Sequence, residues 1–187
     1  FNERRGKIRT GLIVMNEPIV NRVSKSKLIT FDLQEFYPKG ERVFFDISEW
    51  LEQGLVLKEI KFRDKAKHYA WKEFDGKYVA IDCSTDAILP AWAPLLIASY
   101  LNPFAKEVIF GDLEMLENHL FKQVIDDLNL DQYKDKPIII KGCSEKEIPE
   151  NAFIQLLARF QQVAKSIFYG EACSSVPIWK KAQTKIH

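Results

Sequence analysis

Four short apolar runs alternate with amphipathic helices over the second half of this chain, and that alternation restricts the fold more than any other feature. The runs are Tyr78-Val79-Ala80-Ile81, Val108-Ile109-Phe110, Ile138-Ile139-Ile140 and Ile167-Phe168-Tyr169. Each is continuous rather than alternating, which is the pattern of a strand buried on both faces. Between them lie three helical segments. Trp92 to Phe104 is apolar, with Pro94 placed in its first turn, where a missing N–H costs nothing. Leu113 to Leu128 puts Leu113, Leu116, Leu120, Phe121, Val124 and Leu128 on one face, and Ala152 to Val163 carries Phe153, Leu156, Leu157 and Phe160. Strands alternating with helices predict an α/β fold with a mostly parallel sheet of about four core strands, over 78–82, 107–110, 137–141 and 166–170. Helices are expected on both faces. At 187 residues, positions 15–187 suit a single domain.

The same stretch contains an internal repeat, with units over about 75–112 and 135–171. Asp75 matches Asp135, and Cys83-Ser84 matches Cys143-Ser144. After a one-residue gap, Pro90 matches Pro149, Ala93 matches Ala152, Ala105-Lys106 matches Ala164-Lys165, and Gly111-Asp112 matches Gly170-Glu171. The order of the shared parts predicts a duplicated βαβ unit.

The N-terminal part reads as a small β/α appendage covering one edge or face. Residues 1–14 are basic and aperiodic, a disordered tail or the remnant of an extension upstream of a natural start at Met15. Asn16 to Ser26 is expected to form a short helix with Ile19, Val20 and Val23 on one side, and Leu28 to Leu33 a short strand. Pro38-Lys39-Gly40 marks a turn before the β-like run Arg42 to Ile47. Ser48 is the expected N-cap of a short helix at Glu49-Trp50-Leu51, closed by Gly54. Leu57 to Phe74 has helical spacing at Ile60, Ala66, Tyr69, Ala70 and Phe74, interrupted by Phe62.

Several function classes find no support. Net charge is +1 with acids and bases interspersed, so no basic stripe points to nucleic acid, and the four tryptophans read as core or rim. No apolar run approaches the ~20 residues that span a bilayer, and Gly11 to Met15 is too short for a secretory signal. Gly-rich phosphate loops, the GxSxG elbow and HExxH are all absent.

What stands out is cysteine. Cys83, Cys143 and Cys173 are each followed by serine, and each lies at or just past the end of an apolar run. An odd count without paired spacing favours a reducing cytoplasm, where such thiols take up soft metals or do redox work. In a parallel sheet the residues after the strands share one edge. The pattern therefore predicts that Cys83, Cys143 and Cys173 meet there and bind an iron–sulfur cluster or zinc, with Glu171, Asp112, His68 or His119 available as a fourth ligand. Two other readings stay open. In one, a single cysteine, Cys173 beside Glu171, carries persulfide or attacks a substrate, helped by Lys141, His68 or His119. In the other, the cysteines are structural and the chain is a protein-interaction adaptor, with an apolar patch near Trp179 or on the appendage.

From Asn16 to Lys181 the sequence resembles a bacterial family known as domain of unknown function 2480. The resemblance is carried by Ile19-Val20-Asn21-Arg22-Val23, Gly40-Glu41-Arg42-Val43, Val79-Ala80 with Cys83-Ser84, Phe110-Gly111-Asp112-Leu113-Glu114, Ile140-Lys141-Gly142-Cys143-Ser144 and Gly170-Glu171-Ala172-Cys173-Ser174. It implies no activity. It implies a context, as a genomic companion of iron–sulfur assembly proteins, and hence an accessory role beside them.

Overall fold

The computed structural model describes residues 28–171 and 173–182. The basic tail 1–14 and the helix expected over Asn16 to Ser26 lie outside the described residues. In chain order the elements are β1 (Ile29–Phe31), β2 (Arg42–Asp46), α1 (Glu59–His68), β3 (Tyr78–Asp82), α2 (Trp92–Leu101), β4 (Glu107–Phe110), α3 (Leu113–Asp126), β5 (Pro137–Ile140), α4 (Glu150–Gln161), β6 (Ser166–Glu171) and β7 (Ser174–Lys180).

The fold is α/β and the pairing is mostly parallel, as the alternation of runs and helices implies. The four repeat strands, however, divide between two sheets. One has the order β2-β3-β4 and the other β1-β5-β6-β7. All pairs are parallel except β6 with β7. The cause lies in the N-terminal segment. Its strand β1 pairs with β5, Phe31 level with Ile140, and so takes the side on which β4 would have added. Strand β2 pairs with β3, Phe45 level with Ile81. The appendage thus supplies one edge strand to each sheet.

Hydrogen bonds reveal the duplication. Gly76 N–H donates to Phe104 O as Asp135 N–H donates to Val163 O; Lys106 donates to Lys77 as Lys165 donates to Lys136; Ala105 donates to Leu101 as Ala164 donates to Phe160. The offset is 59 residues throughout (76 to 135, 104 to 163). Asp135 therefore stands where Gly76 does, not Asp75, and both have positive φ, 54° and 69°. Cys143 lies one residue further past its strand than Cys83 does (140 to 143 against 81 to 83) and one residue closer to the following proline, so the two loops are of equal length.

Helix α3 is central to the packing. Leu116 and Leu120 meet Ala80 on one face of the three-stranded sheet. Phe121 and Ile125 enter the core of Ile138, Ile140, Leu156, Phe160 and Ile167 on the other sheet. On the far face of the three-stranded sheet, α1 and α2 enclose Phe45, Val79 and Ile81 with Trp71 and Phe74. The contact residues of α1 are Phe62 and Ala66, an i,i+4 pair, and Phe62 is 1% exposed. Ile60, expected to face inward, is 86% exposed.

Two local expectations change. Asp46, not Ser48, caps the short 3₁₀ turn Ile47–Trp50, its Oδ1 accepting from Ser48 N at 2.9 Å. Strand β7 has no counterpart in the sequence reading, because Pro177 interrupts its pattern. It is an edge strand with an irregular register opposite Ile167 and Phe168, the setting in which a sheet tolerates proline.

Candidate functional site

Each sheet presents the residues that follow its parallel strands. In the four-stranded sheet these are Asp32 after β1, Lys141 to Ser144 after β5, and the β6–β7 turn. Lys141 Nζ donates to Asp32 Oδ2 at 2.7 Å. That hydrogen bond, then the Asp32 charge, raises the Lys141 pKa against the opposing effect of desolvation; Glu171 and Cys143 are near enough to add to it. The next residue, Gly142, lies against Tyr169, where a Cβ would come within 2.9 Å of the ring. The Cys143 loop then docks by its serine. Ser144 Oγ donates to Gln34 Oε1 at 2.7 Å, and Glu145 N donates to the same oxygen at 2.6 Å. Cys143 itself is exposed.

Neighbouring β6 ends in Gly170-Glu171. Gly170 has φ 121°, and a Cβ there would lie 2.7 Å from Ser174 O, so the hairpin is tight enough to need glycine. Glu171 pairs with Ser174 across the ladder, which leaves Cys173 in the turn, exposed. The Oε1 of Glu171 is buried and has no hydrogen-bond partner among the described residues.

The three-stranded sheet repeats this plan with different chemistry. Asp46 ends β2, level with Asp82 on β3. Ser84 donates to Asp46 twice, from N to Oδ1 at 3.0 Å and from Oγ to Oδ2 at 2.5 Å. Burial would raise the Asp46 pKa. The side-chain and backbone hydrogen bonds of Ser84 and Ser48 outweigh it and bring the value from 3.8 down to about 2. Cys83 is half-buried, its Sγ 3.3 Å from Thr85 Oγ1, and packs on the aromatic core.

The two edges face different ends of the molecule. In the loop after β5, Lys146 Nζ lies 4.2 Å from the Tyr37 ring. Arg42, the first residue of β2, stacks on both Tyr37 and Tyr78, and Tyr78 opens β3. The Cys143 loop therefore adjoins the amino ends of β2 and β3, while Cys83 follows the carboxyl end of β3, about 13 Å further along at ~3.3 Å per residue. Cys143 and Cys173 share an edge; the other sheet carries Cys83.

Of the remaining sequence candidates, the two histidines lie on helices, and Asp112 follows β4 on the same edge as Cys83. Asp112 caps α3, Oδ1 accepting from Met115 N at 2.8 Å. His68 is on α1 beside Asp64, and His119 is on α3 with Nε2 3.2 Å from Glu107 Oε1. Among the described residues, no group of three or more His, Cys, Asp or Glu side chains is arranged to hold a metal ion. Likewise, no helix there is long and apolar enough to cross a membrane.

Sequence reasoning missed Asp32, Gln34 and Asp46. The signal was available: Phe31-Asp32-Leu33-Gln34-Glu35-Phe36 and Phe45-Asp46-Ile47-Ser48-Glu49-Trp50 share one pattern. Each is a strand end followed by an aspartate-capped 3₁₀ turn, and each receives a Cys-Ser loop. No curated protein and no solved structure matches the chain. A family model matches residues 17–181, and the chain belongs to that family, described as Protein of unknown function (DUF2480).

Proposed function

We propose that this protein is a cysteine-based sulfur carrier whose working thiol is Cys143. One observation carries the reading: an exposed thiol follows, two residues on, a lysine whose ammonium is held 2.7 Å from Asp32 Oδ2 at the same strand edge. A thiolate nucleophile needs a neighbouring positive charge, and a fixed ammonium supplies it without reorganisation. The step is a transfer between sulfurs. The Cys143 thiolate attacks the outer sulfur of a donor persulfide; the donor's S–S bond breaks and its inner sulfur leaves as a thiolate. No net oxidation occurs. Cys173 is the second thiol on the same edge. An accessory role beside iron–sulfur assembly proteins, which consume such sulfur, fits this chemistry.

The test is exposure to a small-molecule persulfide donor, followed by peptide mass spectrometry. Cys143 should gain one sulfur faster than Cys83, and Lys141→Met should slow Cys143 relative to Cys173. If Lys141→Met leaves that ratio unchanged, exposure alone explains the labelling and the reading fails.

A metal–thiolate centre, iron–sulfur or zinc, is the second reading. It is favoured by the buried, unpartnered Glu171 Oε1, an oxygen that a cation would satisfy. Among the described residues no three donors are grouped to hold a metal, and the donors that share one sheet edge are Cys143, Cys173 and Glu171 rather than all three cysteines. Anaerobic purification with metal and sulfide analysis decides it: stoichiometric metal lost on Cys143→Ser and Cys173→Ser supports the centre, and metal-free protein removes it.

A further inference from the structure

The second half of the duplication has a strand that the first lacks. Strand β7 pairs antiparallel with β6, whereas no strand pairs with the outer edge of β4 among the described residues. The way β7 pairs builds a groove. Ser166 is level with Lys180 and Ile167 with Trp179, but Phe168 is level with Pro177, so the register shifts by one residue and Ile178 has no partner in the ladder. An extra residue of this kind bends its strand and re-aims its side chains. Ile167 packs into the core with α4. Strand alternation therefore turns its neighbours Ser166 and Phe168 to the opposite face of the sheet. With Pro137, Pro177 and Ile178 they line a groove of about 510 Å³. It lies over the amino ends of β5 and β6, away from the Cys143 loop at their carboxyl ends.

Two features of the groove call for an anionic group on its ligand. The first is Ser166. It is 9% exposed, the one non-aromatic polar residue that is buried among those described, and it lines the groove. Its hydroxyl has no hydrogen-bond partner among the described residues, and a buried donor left unpaired is costly. The second is charge. Lys165 and Lys180 border the groove, and neither forms an ion pair among the described residues. Lys181, in the adjoining hollow that shares both lysines, is paired with Asp135 at 3.3 Å. The twin repeat makes the sign of the site plain. By the 59-residue offset Ser166 corresponds to Glu107, an acid that lies beside His119, and Lys165 corresponds to Lys106. In the second repeat the lysine stays and the acid is gone. The rest of the lining is apolar: Phe168 is half-buried and Ile178 is 49% exposed.

We propose that this groove binds an acyl carboxylate, a small amphiphile with one carboxylate head and an apolar chain. The head accepts a hydrogen bond from Ser166 Oγ and lies between the ammonium groups of Lys165 and Lys180, while the chain runs along Phe168, Pro177 and Ile178. Charge complementarity and the unpaired hydroxyl select this ligand over a purely apolar one, which would leave both lysines and Ser166 without partners. An extended peptide fits less well. The floor of the groove is the face of a sheet, whose main-chain groups are taken up in its ladders, so strand addition is not open to it. The volume falls in the range of about 300–1,000 Å³ typical of small-molecule sites. The site stands apart from the sulfur chemistry proposed above and does not depend on it.

The experiment is isothermal titration of the full chain with decanoate below its micelle concentration, with tryptophan fluorescence followed on the same samples, since Trp179 borders the groove. One decanoate per chain is expected, with a change in emission that is lost in Trp179→Phe. Decanol, the same chain without the charge, should bind about tenfold more weakly or worse, because the charge-assisted hydrogen bond is missing. Lys165→Met combined with Lys180→Met should weaken decanoate about tenfold or more. So should Ser166→Glu, which sets the acid of the first repeat against the carboxylate head; circular dichroism confirms that the variants fold. The absence of saturable decanoate binding overturns the proposal. So does decanol that binds as tightly as decanoate, or decanoate binding indifferent to both the lysine pair and the serine change, which would place the ligand in another apolar groove.

Discussion

Asp46 is held charged by three hydrogen bonds from two serines, and Ser84 is the residue after Cys83. The serine that follows the cysteine ties its loop to the 3₁₀ turn of the neighbouring strand, here through Asp46 and in the second repeat through Gln34. Because the folded pKa of Asp46 lies below its unfolded value, this contribution is fully present above about pH 4 and is lost as pH falls through about 2. Asp46 is partly solvated, so the loss is on the order of 1 kcal/mol after screening. Asp46→Asn should remove that part of the acid destabilisation between pH 4 and 2 in urea melts; an unchanged pH slope would sink the assignment. Asp135 offers a second test. It holds a left-handed conformation, φ 54°, at the position that Gly76 fills in the other repeat. A Cβ at Gly76 would meet nothing within 4 Å, so the difference between the twins is conformational. Asp135→Gly should therefore stabilise the protein by about 0.5–1 kcal/mol, less whatever the exposed Lys181 pair contributes. Gly76→Asp should cost a similar amount.

At the scale of elements, the repeat strands and helices were legible because each has a strong period and a clear boundary. The partner of each strand was not. Parallel neighbours come from far along the chain, and nothing local in Ile29–Phe31 says that it joins Pro137–Ile140. That single pairing splits the sheet in two and moves Cys83 away from Cys143. The site was legible to the same degree. The cysteine, lysine and Gly-acid positions were visible as sequence marks, but the coupling of Lys141 to Asp32 spans more than a hundred residues. Gly111-Asp112 and Gly170-Glu171 look alike in sequence and do different things. The first opens a capped helix and the second a hairpin, because a long amphipathic segment follows one and a strand the other. Asp112→Ala should cost about 1 kcal/mol as a lost cap. It should leave sulfur labelling of Cys143 unchanged; a large fall in labelling would return Asp112 to the site.

At the scale of the molecule, α3 decides whether the two halves unfold separately. Its Leu116 and Leu120 are buried against the three-stranded sheet, and its Phe121 and Ile125 against the core of the four-stranded one. One rigid helix cannot leave one core without stripping the other. The seam of Arg42, Tyr37, Tyr78 and Lys146 adds polar and cation–π contacts between the halves, but these are partly solvated and weaker than the buried apolar faces. The tryptophans make the coupling measurable. Trp50, Trp71 and Trp92 pack with the three-stranded half, whereas Trp179 packs against the core of the other. In a Trp179→Phe background, fluorescence reports the three-stranded half alone. Phe121→Ala removes a ring buried in the opposite core and should cost about 3–5 kcal/mol. If α3 joins the halves into one cooperative unit, the fluorescence transition should shift with the circular dichroism transition, by the same amount and with a single midpoint. A fluorescence midpoint that stays in place while the circular dichroism midpoint falls would mean that the duplicated halves fold independently, and that α3 leaves one core without disturbing the other.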